Sequence, residues 1–188
     1  MSTEIKKINM VIVTIVILLI AQLCYAKNIN IKSSNIYNDN NILYLDSYSE
    51  ILLTKEAYNA LLHGISFQIH ADFELFTKNN WLFKNIIANK KLKYKLEHKP
   101  LTENFLITDL STGIKSYYKN VDHALKSISN INKMKLLNKN KLDKKKNYIA
   151  RIKFYLSIDS LPSPMRPRAY FSSDWNISSN WYEWEYEN

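Results

Sequence analysis

The sequence holds only two glycines in 188 residues, Gly64 and Gly113. Loops that cradle a phosphate or a dinucleotide need several glycines at fixed spacing, because the backbone must approach the ligand closely. Those nucleotide-binding classes are excluded. Cysteine is present once, as Cys24, so the chain closes no internal disulfide and carries no Cys-X-X-Cys zinc site. His-Glu-X-X-His spacing is also absent, and no serine stands on a Gly-X-Ser-X-Gly elbow. Nothing in the sequence calls for a cofactor. Arginine is the third scarcity: Arg151, Arg166 and Arg168 are the only ones, and every other basic residue apart from histidine is lysine.

What is abundant begins at the N-terminus. Lys6 and Lys7 precede an apolar run from Met10 to Leu23 that only Thr14 and Gln22 interrupt, and Cys24-Tyr25-Ala26 offers small residues at a cleavage position. This region order predicts a secretory signal peptide over residues 1–26. The alternative is an uncleaved membrane anchor over residues 8–25, although the run is short of the roughly 20 residues a spanning helix needs. A lipid attached at Cys24 is disfavoured by the bulky Leu23 before it. Residues 27–188 are then one exported, periplasmic domain without thiols, and its stability rests on burial and backbone pairing.

The formal charge of +9 falls by one when residues 1–26, with Glu4, Lys6 and Lys7, are left out. The excess is lysine dispersed among asparagine and isoleucine, as an AT-rich coding sequence produces. Export removes nucleic acid from the expected partners. Contact with an anionic membrane surface stays open, since lysines held near headgroups are attracted to them.

Along the chain, Ile29, Ile31 and Ile36, then Ile42, Leu43 and Leu45, flank Asn38-Asp39-Asn40-Asn41, which reads as a β-hairpin. Thr54 caps a helix that Gly64 ends. From Ile65 to Leu75 apolar residues alternate with Ser66, Gln68, His70, Asp72 and Glu74, the period of a half-buried strand. Asn79-Asn80 is expected to turn the chain, and Trp81 to Lys90 fits either strand or helix. Leu92, Tyr94 and Leu96 alternate with lysines, Phe105 to Leu110 continues, and Gly113 closes a hairpin into Ile114 to Tyr118. Asp122 is expected to cap a second helix, with Ala124, Leu125, Ile128 and Ile131 on one face. Lys139 to Lys146 reads as a basic loop. The best strand follows, with Tyr148, Ala150, Ile152, Phe154, Leu156 and Ile158 on one face. About seven strands and two short helices predict a mainly β domain, an antiparallel two-sheet sandwich, with an open barrel or an α+β arrangement as the alternatives.

Candidate site residues fall in two places. His70, Asp72 and Glu74 share a strand face, so a cation site or, as the alternative function, a carboxylate-and-histidine hydrolase site is geometrically allowed there, but alternation alone also explains them. The three arginines are the more informative set, because a guanidinium pairs bidentately and stacks on aromatic rings where an ammonium does neither. Arg151, with Asp159, Glu183 or Glu185 in reach, is expected to pair or to stack on Trp175 or Trp181. Arg166 and Arg168 lie in Leu161-Pro162-Ser163-Pro164-Met165-Arg166-Pro167-Arg168, which its prolines should hold extended as an edge or a connector. Arg151, Arg166, Arg168, Trp175 and Trp181 are therefore the candidate binding residues, for a protein partner or an anionic ligand. No catalytic residue is assigned.

Several of these pieces occur together elsewhere. Ala60-Leu61-Leu62-His63-Gly64-Ile65, Trp81, Leu92-Lys93-Tyr94, Leu101-Thr102, Ala124-Leu125, Tyr148 with Arg151, Leu161-Pro162-Ser163-Pro164-Met165-Arg166, and Trp175, Ser179 and Trp181 resemble the bacterial domain of unknown function 4390 family. The resemblance covers nearly all of residues 27–188. It implies an exported proteobacterial protein with no assigned activity, so no functional residue is carried over. Genes of such families often neighbour a membrane sensor kinase and its response regulator, which implies an accessory role toward an envelope or inner-membrane protein. The chain departs from its relatives in carrying lysine where they tend to carry arginine.

Overall fold

The computed structural model describes residues 28–80 and 83–187; the expected signal peptide and the Trp81 expectation lie outside them. The chain opens with a hairpin, β1 (Ile29–Asp39) and β2 (Ile42–Ile51), whose turn residues Asn40 and Asn41 take φ of 49° and 65°. Asparagine tolerates this left-handed region better than most residues, which is why the hairpin closes there. Helix α1 (Lys55–Leu62) starts at Thr54, whose hydroxyl accepts from the Ala57 N–H, and ends where Gly64 adopts φ +86°. Strands β3 (Phe67–Asn80) and β4 (Phe83–Lys99) form a long hairpin, and β5 (Asn104–Asp109) and β6 (Lys115–Tyr118) form another around Gly113 at φ +75°. Helix α2 (Val121–Ser129) runs directly into β7 (Asn130–Asn138). After the lysine loop come β8 (Tyr148–Ser157), helix α3 (Arg166–Phe171) and β9 (Tyr182–Tyr186).

Two open antiparallel sheets result, one ordered β1-β2-β7 and one ordered β6-β5-β4-β3-β8-β9. Leu43 and Leu45 from the first sheet and Phe67, Phe73, Ala150, Ile152 and Phe154 from the second are buried in one continuous core. Strand β8 alternates strictly between buried and half-buried positions along its length, as a strand between two neighbours with one wet face should. Ala124, Leu125 and Ile128 seal α2 onto this core. The sheet edges are blunted: β6 has four residues, and β9 carries Glu183 and Glu185, both devices that discourage edge-to-edge pairing. Among the described residues no helix is long and apolar enough to cross a membrane.

The mainly β, two-sheet expectation holds, with nine strands and three helices among the described residues in place of about seven and two. Four local expectations are corrected. Asn120, not Asp122, caps α2, its side chain accepting from the Asp122 N–H at 2.6 Å. Ile131 is buried from β7 rather than from the helix, because Asn130 leaves helical geometry and pairs with Tyr48 of β2. Asn79 and Asn80 lie within β3, and the hairpin closes beyond them, with Asn80 opposite Phe83. The proline segment is not extended throughout: it turns and forms α3, with Pro167 in the first helical turn, where a fixed φ and a missing N–H cost nothing.

Candidate functional site

Sheet register builds the first candidate cluster. Glu74 of β3 lies opposite Arg151 of β8, and Arg151 lies opposite Glu183 of β9, so all three leave the outer face in one row across the strands. Arg151 donates from Nε and Nη2 to Oε2 of Glu74 at 2.8 and 2.6 Å, and Nη1 reaches Oε1 of Glu183 at 3.4 Å. Its guanidinium also lies over the Trp181 ring, 4.1 Å from the centroid, with Phe76 at 5.4 Å. The expected pairing and stacking of Arg151 are thus both present, with Glu74 as an unforeseen main partner. Every face of the guanidinium is occupied by protein, which makes it a pin across three strands.

His70 and Asp72 occupy the neighbouring rows, His70 opposite Tyr155 and Asp72 opposite Lys153 of β8. The His70 ring is 8% exposed, with Nε2 at 3.0 Å from Gln68 Oε1 and Nδ1 at 3.4 Å from the Tyr155 hydroxyl. That hydroxyl donates to Asp72 Oδ2 at 3.2 Å, and Lys91 Nζ reaches the same oxygen at 3.3 Å. Burial, with Lys93 adding to it, lowers the His70 pKa below 6.5. Burial, and then the Asp72 charge, raises that of Tyr155, while hydrogen bonding to Asp72 raises that of Lys91. Each group is held in its ordinary protonation state at neutral pH, which is the opposite of tuning an acid or base toward neutrality. Positions two apart on a strand stand about 7 Å from each other, and Glu74 is spent on Arg151. Among the described residues, no three histidine, aspartate or glutamate side chains converge as a cation site.

The second cluster is the excursion between β8 and β9. Leu161, Ala169, Trp175 and Ile177 are buried and fix its base, and Trp175 meets Phe67 edge-on at 6.3 Å. Arg166 turns back to donate from Nε to the Leu161 carbonyl at 2.8 Å, so it closes the turn ahead of α3. The Tyr170 hydroxyl donates to Asp159 at 2.5 Å. What remains outside is a contiguous exposed set: Pro162, Pro164, Pro167, Arg168, Tyr170 and Phe171. Phe171 is 94% exposed, and Arg168 lies three residues before it, on the same helical face.

Of the five candidate binding residues, the structure therefore joins Arg151 with Trp181 on the outer sheet face. It places Arg166 and Arg168 on the α3 excursion and buries Trp175 beneath it. The five do not form one surface. Tyr170 and Phe171 were not singled out from the sequence; the signal was a pair of aromatics directly before Ser172-Ser173, with no apolar periodicity to bury them.

A family model described as Domain of unknown function (DUF4390) matches residues 26–185. The chain belongs to this family. The match spans both sheets and all three helices, so the Arg151 pin and the α3 excursion are parts of the DUF4390 domain itself. No match was found among curated proteins or among solved structures.

Proposed function

We propose that the domain is an exported, periplasmic, non-enzymatic binding or accessory module that docks on an envelope protein, an inner-membrane sensor being the favoured kind, through the exposed face of α3. The observation that carries this reading is Phe171, 94% exposed on a helix seated on the core through buried Ala169. Leaving such a ring in water forgoes about 1.5–3 kcal/mol of burial, and rigid aromatics beside an arginine are the residue types that dominate binding energy at interfaces. Two further features support it. The family match begins at residue 26, where the apolar N-terminal run ends. Asn28 leaves the domain at the α1 end, its carbonyl accepting from the Leu52 N–H at 2.7 Å, while Thr54 at the start of α1 donates to the Asp174 carbonyl just beyond α3. A retained N-terminal anchor would hold the α3 face near an inner-membrane partner.

The test is photocrosslinking from position 171 in intact envelopes, with mass-spectrometric identification of the product. One discrete envelope protein is expected, and its capture should fall at least tenfold in Arg168→Glu while thermal stability is unchanged. Capture that is indifferent to Arg168→Glu, or only diffuse adducts, would overturn the reading.

A further inference from the structure

A second surface lies at the opposite end of the sandwich. The chain crosses from one sheet to the other over residues 139–147, and this crossing carries Lys139, Lys141, Lys144, Lys145 and Lys146. Its base is fixed. Leu142 and Tyr148 are buried, the Asp143 N–H donates to the Tyr148 hydroxyl at 2.7 Å, and the Lys145 N–H donates to the Asp143 carboxylate at 3.0 Å. The lysines between these anchors are held outward. Strand β4 adds Lys84 and Lys90 at the same end, both exposed.

Grooves on two sides of the crossing repeat the pattern. One of about 510 Å³ is lined by Lys90 and Lys141 with Ile86 and Ile87, and one of about 440 Å³ by Lys145 and Lys146 with Ile149 and Glu185. Among the described residues the only ion pair made by these seven lysines is a long one, Lys146 to Asp143 at 3.9 Å. The end has acids of its own in Asp39, Asp143, Glu185 and Glu187, and Asp39 is taken by Lys133 at 2.9 Å. Lysines outnumber acids there.

We infer that this lysine end is a docking surface for the anionic lipid headgroups of a membrane. Three observations select lipid over a folded protein. The seven charges are all ammonium groups, and the one arginine near them, Arg151, which shares the Phe76 ring with Lys84, has its fork taken by Glu74 and Glu183. The grooves are open, suiting a diffuse field of charge rather than one deep ligand. Ile86, 48% exposed, gives the lysines an apolar neighbour for the headgroup boundary, where such residues partition. The inference goes beyond the α3 reading and uses a different surface, and it shares with that reading only export, which removes nucleic acid as the polyanion.

The experiment is co-sedimentation of the full chain with vesicles of phosphatidylcholine alone or with phosphatidylglycerol added. Three variants are compared with the wild type: Lys144→Glu/Lys145→Glu/Lys146→Glu, its neutral counterpart with glutamine, and Lys115→Glu/Lys119→Glu/Lys126→Glu as an equal charge change away from this end. Anionic lipid should raise wild-type binding, and salt should abolish the increment. The loop variant should lose at least about a hundredfold of it, since each lysine near the surface contributes about 1 kcal/mol and the glutamates add repulsion. The glutamine variant should lose it in the same direction, and the distal variant should stay within a few-fold of wild type. Equal losses in the loop and distal variants, no increment from anionic lipid, or an unchanged loop variant would each overturn the inference. Because the α3 face is untouched, loss here leaves capture from position 171 intact.

Discussion

Replacing Arg151 by alanine removes the side chain that ties β3, β8 and β9 together on the outer face. The side chain is 16% exposed and its partner Glu74 is 23% exposed, so neither charge is freely hydrated. Breaking a fully buried ion pair costs 3–5 kcal/mol, mostly through the charge left behind. Partial access of water to Glu74 lowers this, and the lost stack on Trp181, at 4.1 Å, adds about 1 kcal/mol. The expected loss is about 3 kcal/mol, which in a domain of this size lowers Tm by roughly 6–12 °C. Arg151→Lys keeps the charge but loses the two-pronged bond and the planar stack, so about 1–2 kcal/mol should still be lost. Arg151→Met with Glu74→Gln removes both charges and should recover to within about 1 kcal/mol of wild type.

Urea denaturation of the four proteins of a cycle, wild type, Arg151→Ala, Glu74→Ala and the double variant, measures the coupling directly. A coupling below about 0.5 kcal/mol would refute the pin, since distant, independent sites add within that margin. So would a lysine variant as stable as the wild type.

Two further outcomes follow from buried polar groups. Ser179→Ala leaves the Phe154 N–H, which donates to the serine hydroxyl at 3.0 Å in a buried site, without an acceptor; the urea midpoint should fall by the equivalent of about 1–3 kcal/mol with the m-value unchanged. His70 gives a pH dependence. Its folded pKa lies below 6.5 because burial and then Lys93 disfavour the imidazolium, so the unfolded chain takes up this proton first as pH falls. Stability is therefore complete above 6.5 and declines below it until the folded ring also protonates. In His70→Gln, denaturation melts from pH 7.5 downward should lack this step, and an identical profile would remove His70 as its source.

Legibility from sequence followed the physics of each element. The alternation of β8 and of β3 was visible because one face is dry and the other wet over many residues. Strand β7 was hidden, since two register shifts against β2 break its alternation. One lies at Lys133, which takes φ +51° and donates its N–H to Asp46 at 2.6 Å, and the other lets Leu136 and Leu137 both be buried. Ile128 and Ile131 also fit helical spacing as well as they fit a helix followed by a strand. For the candidate sites, the reason to keep an arginine at position 151 was readable in its chemistry. Its main partner, Glu74, stands 77 residues upstream and becomes visible only when β3 and β8 pair. The exposure of Phe171 depended on where the proline segment turned, and prolines permit either an extended connector or the first turn of a helix.

The two proposed surfaces constrain each other through the geometry of β1. Its 11 residues run from the α1 end, where Asn28 emerges, to the Asn40-Asn41 turn beside Lys139, a span of about 35 Å at 3.3 Å per residue. The α3 face lies at the first end and the lysines at the second. A chain anchored in a bilayer by residues 8–25 with β1 upright on it would hold its lysines that far above the bilayer, beyond the roughly 8–10 Å over which surface charge acts at physiological salt. In that upright arrangement an uncleaved anchor keeps the lysines from the same membrane. Cleavage after Ala26 frees the lysine end to approach the headgroups, and the α3 face then points away from the bilayer toward the exposed part of a partner. N-terminal sequencing of the protein isolated from its cells separates the two arrangements. A chain beginning at Lys27 permits both surfaces to work at one membrane, and a chain that retains Met10 to Leu23 and stands upright restricts lipid contact by the lysines to a second one.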